Sequence, residues 1–201
     1  MFIAFEGIDG VGKSTQIELL ARYLSEIGFE VLSTREPGGT EVGEKLRSIL
    51  KTDQSLGFRT ELLLMLASRS QHIDAVIRPA LDCGKLVITD RFEASTFAYQ
   101  GYGRGIELSQ LQILNDFATN KLKPDVTILI DRDYSFRLSD DDRFESAGAD
   151  FTDRVRSGYL ELAKDKSWIT IDGNRTVEAV HKEICDHLHQ LGLARGLRGR
   201  N

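Results

Sequence analysis

Residues 7–15, Gly7-Ile8-Asp9-Gly10-Val11-Gly12-Lys13-Ser14-Thr15, fit the pattern Gly-x-x-x-x-Gly-Lys-Ser. They follow an apolar run at 2–5 and open a helical pattern at 13–27, the strand, loop and helix context in which that pattern cradles nucleotide phosphates. The chemistry needs these residue types. Glycines let the backbone curl so that successive N–H groups point inward at phosphate oxygens. The helix that follows adds the partial positive charge of its N-terminus. Lys13 is placed to reach the β- and γ-phosphates of ATP, and Ser14 to offer its hydroxyl to Mg²⁺. Gly7, Ile8, Asp9, Gly10, Val11, Gly12, Lys13, Ser14 and Thr15 are therefore the expected ATP-binding residues. Asp90 closes the apolar run Leu86-Val87-Ile88-Thr89. A carboxylate there, beside the phosphate loop, is the second expected holder of Mg²⁺, and Arg91 follows at once, close enough to bridge donor and acceptor phosphates.

Elements that could hold these residues are legible along the chain. Apolar runs at 2–5, 31–33, 86–89, 126–130 and 168–171 read as strands. Helical patterns lie near 13–27, 40–50, 59–81, 109–118, 151–163 and 177–191. Repeated strand-then-helix order predicts an α/β, three-layer P-loop NTPase fold whose central five-stranded parallel sheet is flanked by helices. Such sheets bind ligands outside the carboxyl ends of their strands, which directs attention to the loops after Phe5, Thr34, Thr89, Ile130 and Asp172. A single domain is expected over 1–191, with a Gly- and Arg-rich, solvated tail at 192–201. His72, His181, His187 and His189 fall on the helical patterns and read as polar-face residues, so no catalytic histidine is expected.

Composition narrows the function. The 201 residues are 41% hydrophobic and 28% charged, ordinary for a globular protein, and 26 Lys and Arg against 31 Asp and Glu give a formal net charge of -5. That balance argues against a general nucleic-acid or membrane-surface binder, so any positive charge for an anionic substrate must be concentrated in a site. Cys83 and Cys185 lack metal-ligand spacing and read as reduced structural thiols. No apolar run is long enough to span a bilayer, and Met1 leads into Phe2-Ile3-Ala4-Phe5 without a basic segment or cleavage site, so a cytoplasmic protein is expected.

Several further segments occur in a telling order: Phe5-Glu6-Gly7-Ile8-Asp9-Gly10, Thr34-Arg35-Glu36-Pro37-Gly38-Gly39-Thr40, Glu61-Leu62-Leu63-Leu64 with Ala67 and Arg69, and Asp90-Arg91-Phe92 with Ser95 and Thr96. Ala98-Tyr99-Gln100-Gly101, Asp142-Arg143-Phe144-Glu145 and Gly158-Tyr159-Leu160-Glu161-Leu162-Ala163 follow. Each alone is weak; the ordered set, from residue 2 to about 184, resembles bacterial thymidylate kinases, which are P-loop nucleoside monophosphate kinases. The resemblance implies transfer of the ATP γ-phosphoryl group to dTMP. It also implies roles: Asp9 would hold the acceptor's 3′-hydroxyl, Arg91 would clamp phosphate oxygens in the transition state, and Arg69 would hydrogen-bond the thymine edge. Tyr99 would lie under the deoxyribose and exclude a 2′-hydroxyl. Thr96 and Gln100 would line the acceptor site, and Arg35 and Arg47 would bind the acceptor phosphate. The loop Asp172-Gly173-Asn174 would lie near adenine. A homodimer packed through helices is implied as well, and from the charge balance above no stable nucleic-acid or membrane partner is expected.

Two positions depart from that family. Met65 stands where a phenylalanine usually stacks on thymine, one helical turn before Arg69. Methionine is polarizable but offers no π-face. The family's mobile, arginine-bearing lid is here only 132–143, with Arg132 and Arg137 before the Asp142 motif. Either the lid is short or part of it is not in this chain; Arg137 is the first candidate for a catalytic lid arginine and Arg143 the second. Another P-loop kinase would share the cradle but not Arg69, Tyr99 and Gln100 in this order. A GTP-binding switch would carry an Asn-Lys-x-Asp reader, which the chain lacks.

Overall fold

The computed structural model describes residues 1–53, 55–133, 148–164 and 168–192. The five apolar runs become five strands: β1 (Phe2–Glu6), β2 (Val31–Arg35), β3 (Leu86–Asp90), β4 (Val126–Asp131) and β5 (Trp168–Asp172). All neighbouring pairs are parallel, in the order β2-β3-β1-β4-β5. From β1 the chain crosses to the far edge as β2, returns as β3 to the place between them, and then adds β4 and β5 on the other side. The loop after β1 lies at the point where that direction reverses, where open α/β sheets leave a crevice for ligands.

Alternation along β1 feeds both faces of the sheet. Phe2 and Ala4 pack with Ile73, Ile77, Val87 and Phe92. Ile3 and Phe5 join the larger core with Ile17, Leu20, Leu24, Ile128 and Ile171. The helices are α1 (Lys13–Glu26), α2 (Glu41–Thr52), α3 (Phe58–His72), α4 (Arg78–Asp82), α5 (Glu93–Thr96), α6 (Leu108–Thr119), α7 (Ala149–Leu162) and α8 (Val177–Gln190). Side-chain caps fix two starts: Thr40 Oγ1 accepts from the Gly43 N–H at 2.9 Å and Thr176 Oγ1 from the Ala179 N–H at 3.3 Å.

Three sequence-based expectations need correction. The single helix expected at 59–81 is divided: α3 ends at His72, a π-helical turn runs through Ile73–Ile77, and α4 follows. A second π-helical turn, Phe97–Gly103, extends α5 where no helix was expected. An inserted residue widens the turn without changing apolar content, so periodicity does not mark it; such turns gather at functional sites. His72 is not on a polar face. It is fully buried, with Nδ1 3.1 Å from Glu36 Oε1 and Nε2 2.6 Å from Thr34 Oγ1.

Candidate active site

The strand-closing residues Glu6, Arg35, Asp90, Asp131 and Asp172 are all charged, so the carboxyl edge of the sheet is a row of ionic groups above an apolar core. The phosphate loop occupies its centre. Gly7 has φ 136° and lies against β4, where a Cβ would meet the Ile130 carbonyl oxygen at 2.5 Å. Gly12, the N-cap of α1, has φ 99° and no side-chain cap bond, and the first turn of α1 carries no acidic residue. Its N–H groups are thus uncapped by any side chain and suited to anionic oxygens. Lys13 is buried and donates to the Gly7 and Ile8 carbonyls at 3.0 and 2.9 Å. An ammonium has three N–H groups, so one remains for a phosphate. Burial, aided by the charge of Arg91, pushes the Lys13 pKa down to about 8, against the opposing pull of Asp90, Asp9 and Glu6.

Arg91 adopts φ 71°, a left-handed conformation rare for a residue with a side chain. Two contacts pin it: its N–H donates to the Phe5 carbonyl at 2.8 Å, and its own carbonyl accepts from Thr89 Oγ1 at 3.0 Å. The strained turn aims the guanidinium back over the phosphate loop. One terminal nitrogen donates to Asp9 Oδ1 at 2.9 Å and to the Tyr99 hydroxyl at 3.1 Å; the other donates to Ser95 Oγ at 3.1 Å and the Tyr159 hydroxyl at 2.8 Å. Tyr99 in turn donates to Asp9 Oδ2 at 3.2 Å. Burial alone would raise the Asp9 carboxyl, but Arg91 and Lys13 outweigh it and hold the group well below the usual carboxylate range. Beneath them Glu6, fully buried, accepts from Ser95, Tyr159 and the Phe92 N–H. Burial pushes its carboxyl above the usual range, and those bonds and Arg91 offset only part of that.

Two cavities meet over this cluster. One is lined by the phosphate loop, Arg35 and Asp90; the other contains Met65, Arg69, Thr96, Tyr99 and Gln100. They share Asp9, Glu36, Arg47 and Arg91. Arg47 donates to the Pro37 carbonyl at 2.8 Å, while Arg35 is paired with Glu44. Met65 is half-buried on the wall of the second cavity. Arg69, read from the sequence as a contact to a base, is first a brace. It is buried and donates to Glu36 at 2.6 Å, Thr96 at 2.7 Å, Asn115 at 2.6 Å and the Phe92 carbonyl at 2.8 Å. Against the effect of burial, Arg69 and His72 hold the Glu36 carboxyl below its usual range.

The residues present fit a magnesium ion. Asp90 Oδ2 accepts from Ser14 Oγ at 3.3 Å, whereas Oδ1 is buried and has no hydrogen-bond partner among the described residues. No cluster of three or more His, Cys, Asp or Glu suited to a metal occurs among those residues. A site of one carboxylate and one hydroxyl suits Mg²⁺, which keeps several waters and takes its other oxygens from substrate phosphates. Asp172-Gly173-Asn174 sits at the end of β5 beside β4, with the Gly173 N–H donating to the Asp131 carbonyl at 2.7 Å. Arg137, Arg143 and the lid from 134 to 143 lie outside the described residues, as do 144–147 and the tail from 193.

Glu6, Glu61, Asn115 and Tyr159 support the site but carried no individual reading from the sequence. Only Glu6 had a local signal, the one used for Asp90: a carboxylate closing an apolar strand.

A family model described as thymidylate kinase matches residues 5–184. The chain is 48% identical over 190 residues to the thymidylate kinase of Fervidobacterium nodosum, covering 92% of this chain and 96% of that protein. It is 44% identical over 200 residues to the one from a Sulfurihydrogenibium species, covering 96% and 98%. The crystal structure of thymidylate kinase from Ehrlichia chaffeensis superposes with a TM-score of 0.81 at 42% identity, over 94% of this chain and 98% of that one.

Proposed function

Since this chain belongs to the thymidylate kinase family, we propose that it transfers the γ-phosphoryl group of ATP to dTMP, giving dTDP and ADP, in dTTP biosynthesis. The observation that carries the site assignment is the wall shared by the two cavities, where Asp9 and Arg91 stand between the phosphate loop and the acceptor pocket. An oxygen of the dTMP phosphate attacks the γ-phosphorus, the bond from that phosphorus to the β,γ-bridging oxygen breaks, and ADP leaves. The attacking oxygen is already ionised, so positioning and charge stabilisation suffice without a strong base. Lys13 and Arg91 place positive charge on the donor side and between the two substrates. Mg²⁺, when bound, neutralises charge on the β- and γ-phosphate oxygens, and Ser14 and Asp90 are the residues that would hold it.

On the acceptor side, Asp9 holds the 3′-hydroxyl, Tyr99 underlies the sugar, Arg47 and Arg35 face the 5′-phosphate, and Met65, Arg69, Thr96 and Gln100 surround the base. Arg137 is assigned to close over the transferring group; Arg137→Ala then lowers kcat with little change in the KM for ATP, and unchanged turnover removes the assignment. Two copies pair through the exposed apolar residues of α2, α3 and α6, and the enzyme works in the cytoplasm, where its substrates are. A coupled assay of ADP release with dTMP, dUMP, dCMP and ribothymidine monophosphate tests the function. Preference for dTMP is expected, over dUMP by the modest margin of one methyl group, about 1–3 kcal/mol. Equal use of all four would remove the thymine-pocket reading.

A further inference from the structure

Gln100 lines the acceptor cavity with a side chain whose two ends differ only in N and O. An amide of this kind can turn over within nearly the same volume and present either a donor or an acceptor. One end is committed here. Gln100 Nε2 donates to Glu61 Oε1 at 2.8 Å, and both residues are buried. Glu61 is the fourth residue of α3, and its other oxygen accepts from Arg104 at 3.3 Å. Arg104 is itself packed over the rings of Phe58 and Phe151, with centroids at 5.0 and 4.4 Å. A carboxylate paired with a guanidinium only accepts, so Glu61 takes the NH₂ end and leaves the amide oxygen to the cavity. From the adjoining wall Arg69 spends four of its five N–H groups on protein oxygens. On this part of the wall, Gln100 therefore offers an acceptor and Arg69 has one N–H left to donate.

We propose that Glu61 determines base specificity without touching the substrate, by holding the Gln100 amide with its oxygen toward the pyrimidine. This rests on the dTMP reading of the cavity. Thymine and uracil carry an N–H at N3 flanked by carbonyls, which matches an acceptor beside a donor. Cytosine carries an unprotonated N3 and a 4-amino group, so both matches invert, and the buried groups would be left unpaired. Were Gln100 free to turn over, it could donate to cytosine N3 and recover half the fit. Glu61 removes that option. It is a positioning residue acting through Gln100, and its other oxygen is paired with Arg104.

The test compares kcat/KM for dTMP, dUMP and dCMP in the full chain, in Glu61→Gln and in Glu61→Met. Glutamine donates as readily as it accepts and methionine's thioether is at most a weak acceptor, so both free the amide. The preference for dTMP over dCMP is expected to shrink by about tenfold or more in each variant. The ratio of dTMP to dUMP should stay put, because the methyl group is read elsewhere. A loss that falls equally on dTMP and dCMP would mean that Glu61 only stabilises α3, and overturns the proposal. Should neither variant fold, the wild-type chain decides with a 3-deaza analogue of dTMP, in which C–H replaces N3–H. Poor use supports an acceptor at Gln100; use equal to that of dTMP overturns it. A wild-type chain that does not phosphorylate dTMP fails the parent reading instead, an outcome distinct from an unchanged dTMP-to-dCMP ratio.

Discussion

Lys13 has an unusual resting state, buried and bonded to two carbonyls of its own loop. Its pKa of about 8 is set first by burial and then by Arg91, and the incoming phosphate oxygens oppose both effects. Below about pH 8 the side chain is already charged when ATP arrives. Above it, binding must take up a proton, and the Kd for ATP should rise by up to about tenfold per pH unit. Calorimetric titration on both sides of about pH 8 checks this; Lys13→Arg, which does not titrate there, should give a flat profile. Asp9 invites a second test, because its carboxylate is held by Arg91 and Tyr99 yet remains 43% exposed. Asp9→Asn should retain ATP and lose most of the discrimination between dTMP and its 3′-deoxy analogue; undiminished discrimination removes the sugar contact. Lys13, Ser14 and Asp90 could be singled out in the sequence because their signal is local: one motif and one strand end. Glu36, Glu61 and His72 could not, because each reads singly as a polar helix or loop residue. Their partners lie tens of residues away: Arg69 is 33 positions from Glu36, and Gln100 is 39 from Glu61.

At the scale of elements, the two cavities lie where the carboxyl ends of β1, β2 and β3 meet α2, α3, α5 and the π-helical turn that extends α5. Arg69 ties several of these together. It sits on α3 and binds Glu36 after β2, the Phe92 carbonyl and Thr96 at either end of α5, and Asn115 on α6. The resemblance placed Arg69 at the base, and Arg69 lines a cavity, but the brace was invisible to helical periodicity. Arg69→Met would strand a buried carboxylate and three further acceptors, and breaking such a pair costs about 3–5 kcal/mol. Urea unfolding without substrate should show that loss. Arg69→Lys should recover little of it, because an ammonium is a compact donor that cannot span four acceptors arranged around a planar fork. A change in the methionine variant below about 1 kcal/mol would mean that the cluster is held by α3–α6 packing alone. The strands were legible to within two residues because a sheet buried on both faces demands near-continuous apolar runs. The π-helical turn carrying Tyr99 and Gln100 left no periodic trace, although it sets which side chains of that segment face the cavity.

For the whole molecule, strand-helix alternation forecast the sheet, and the net charge of -5 forecast that cations would be gathered rather than spread. Lys13, Arg35, Arg47, Arg69 and Arg91 do line the two joined cavities. Assembly was not legible in the same way, because apolar residues on a helix read alike whether they face a core or another molecule. The structure shows which of them the single chain leaves uncovered. On α6, Leu111 is buried, whereas Ile113 and Phe117, one turn apart, are 70% and 88% exposed. On α3 Leu63 is exposed, and on α2 so are Val42 and Ile49; α3 packs against both other helices. Apolar residues exposed on adjoining helices are the mark of a surface that water does not cover by choice. If two copies meet there, each buried Ile or Phe contributes about 1.5–3 kcal/mol. Replacing both Ile113 and Phe117 by Asp would remove that and place carboxylates in a desolvated contact. Light scattering should then give twice the chain mass for the wild type and the single chain mass for the double variant, with its thermal stability measured alongside to show that the fold survives. A monomeric wild type, or a folded variant that still pairs, would move the interface away from α6 or abolish it.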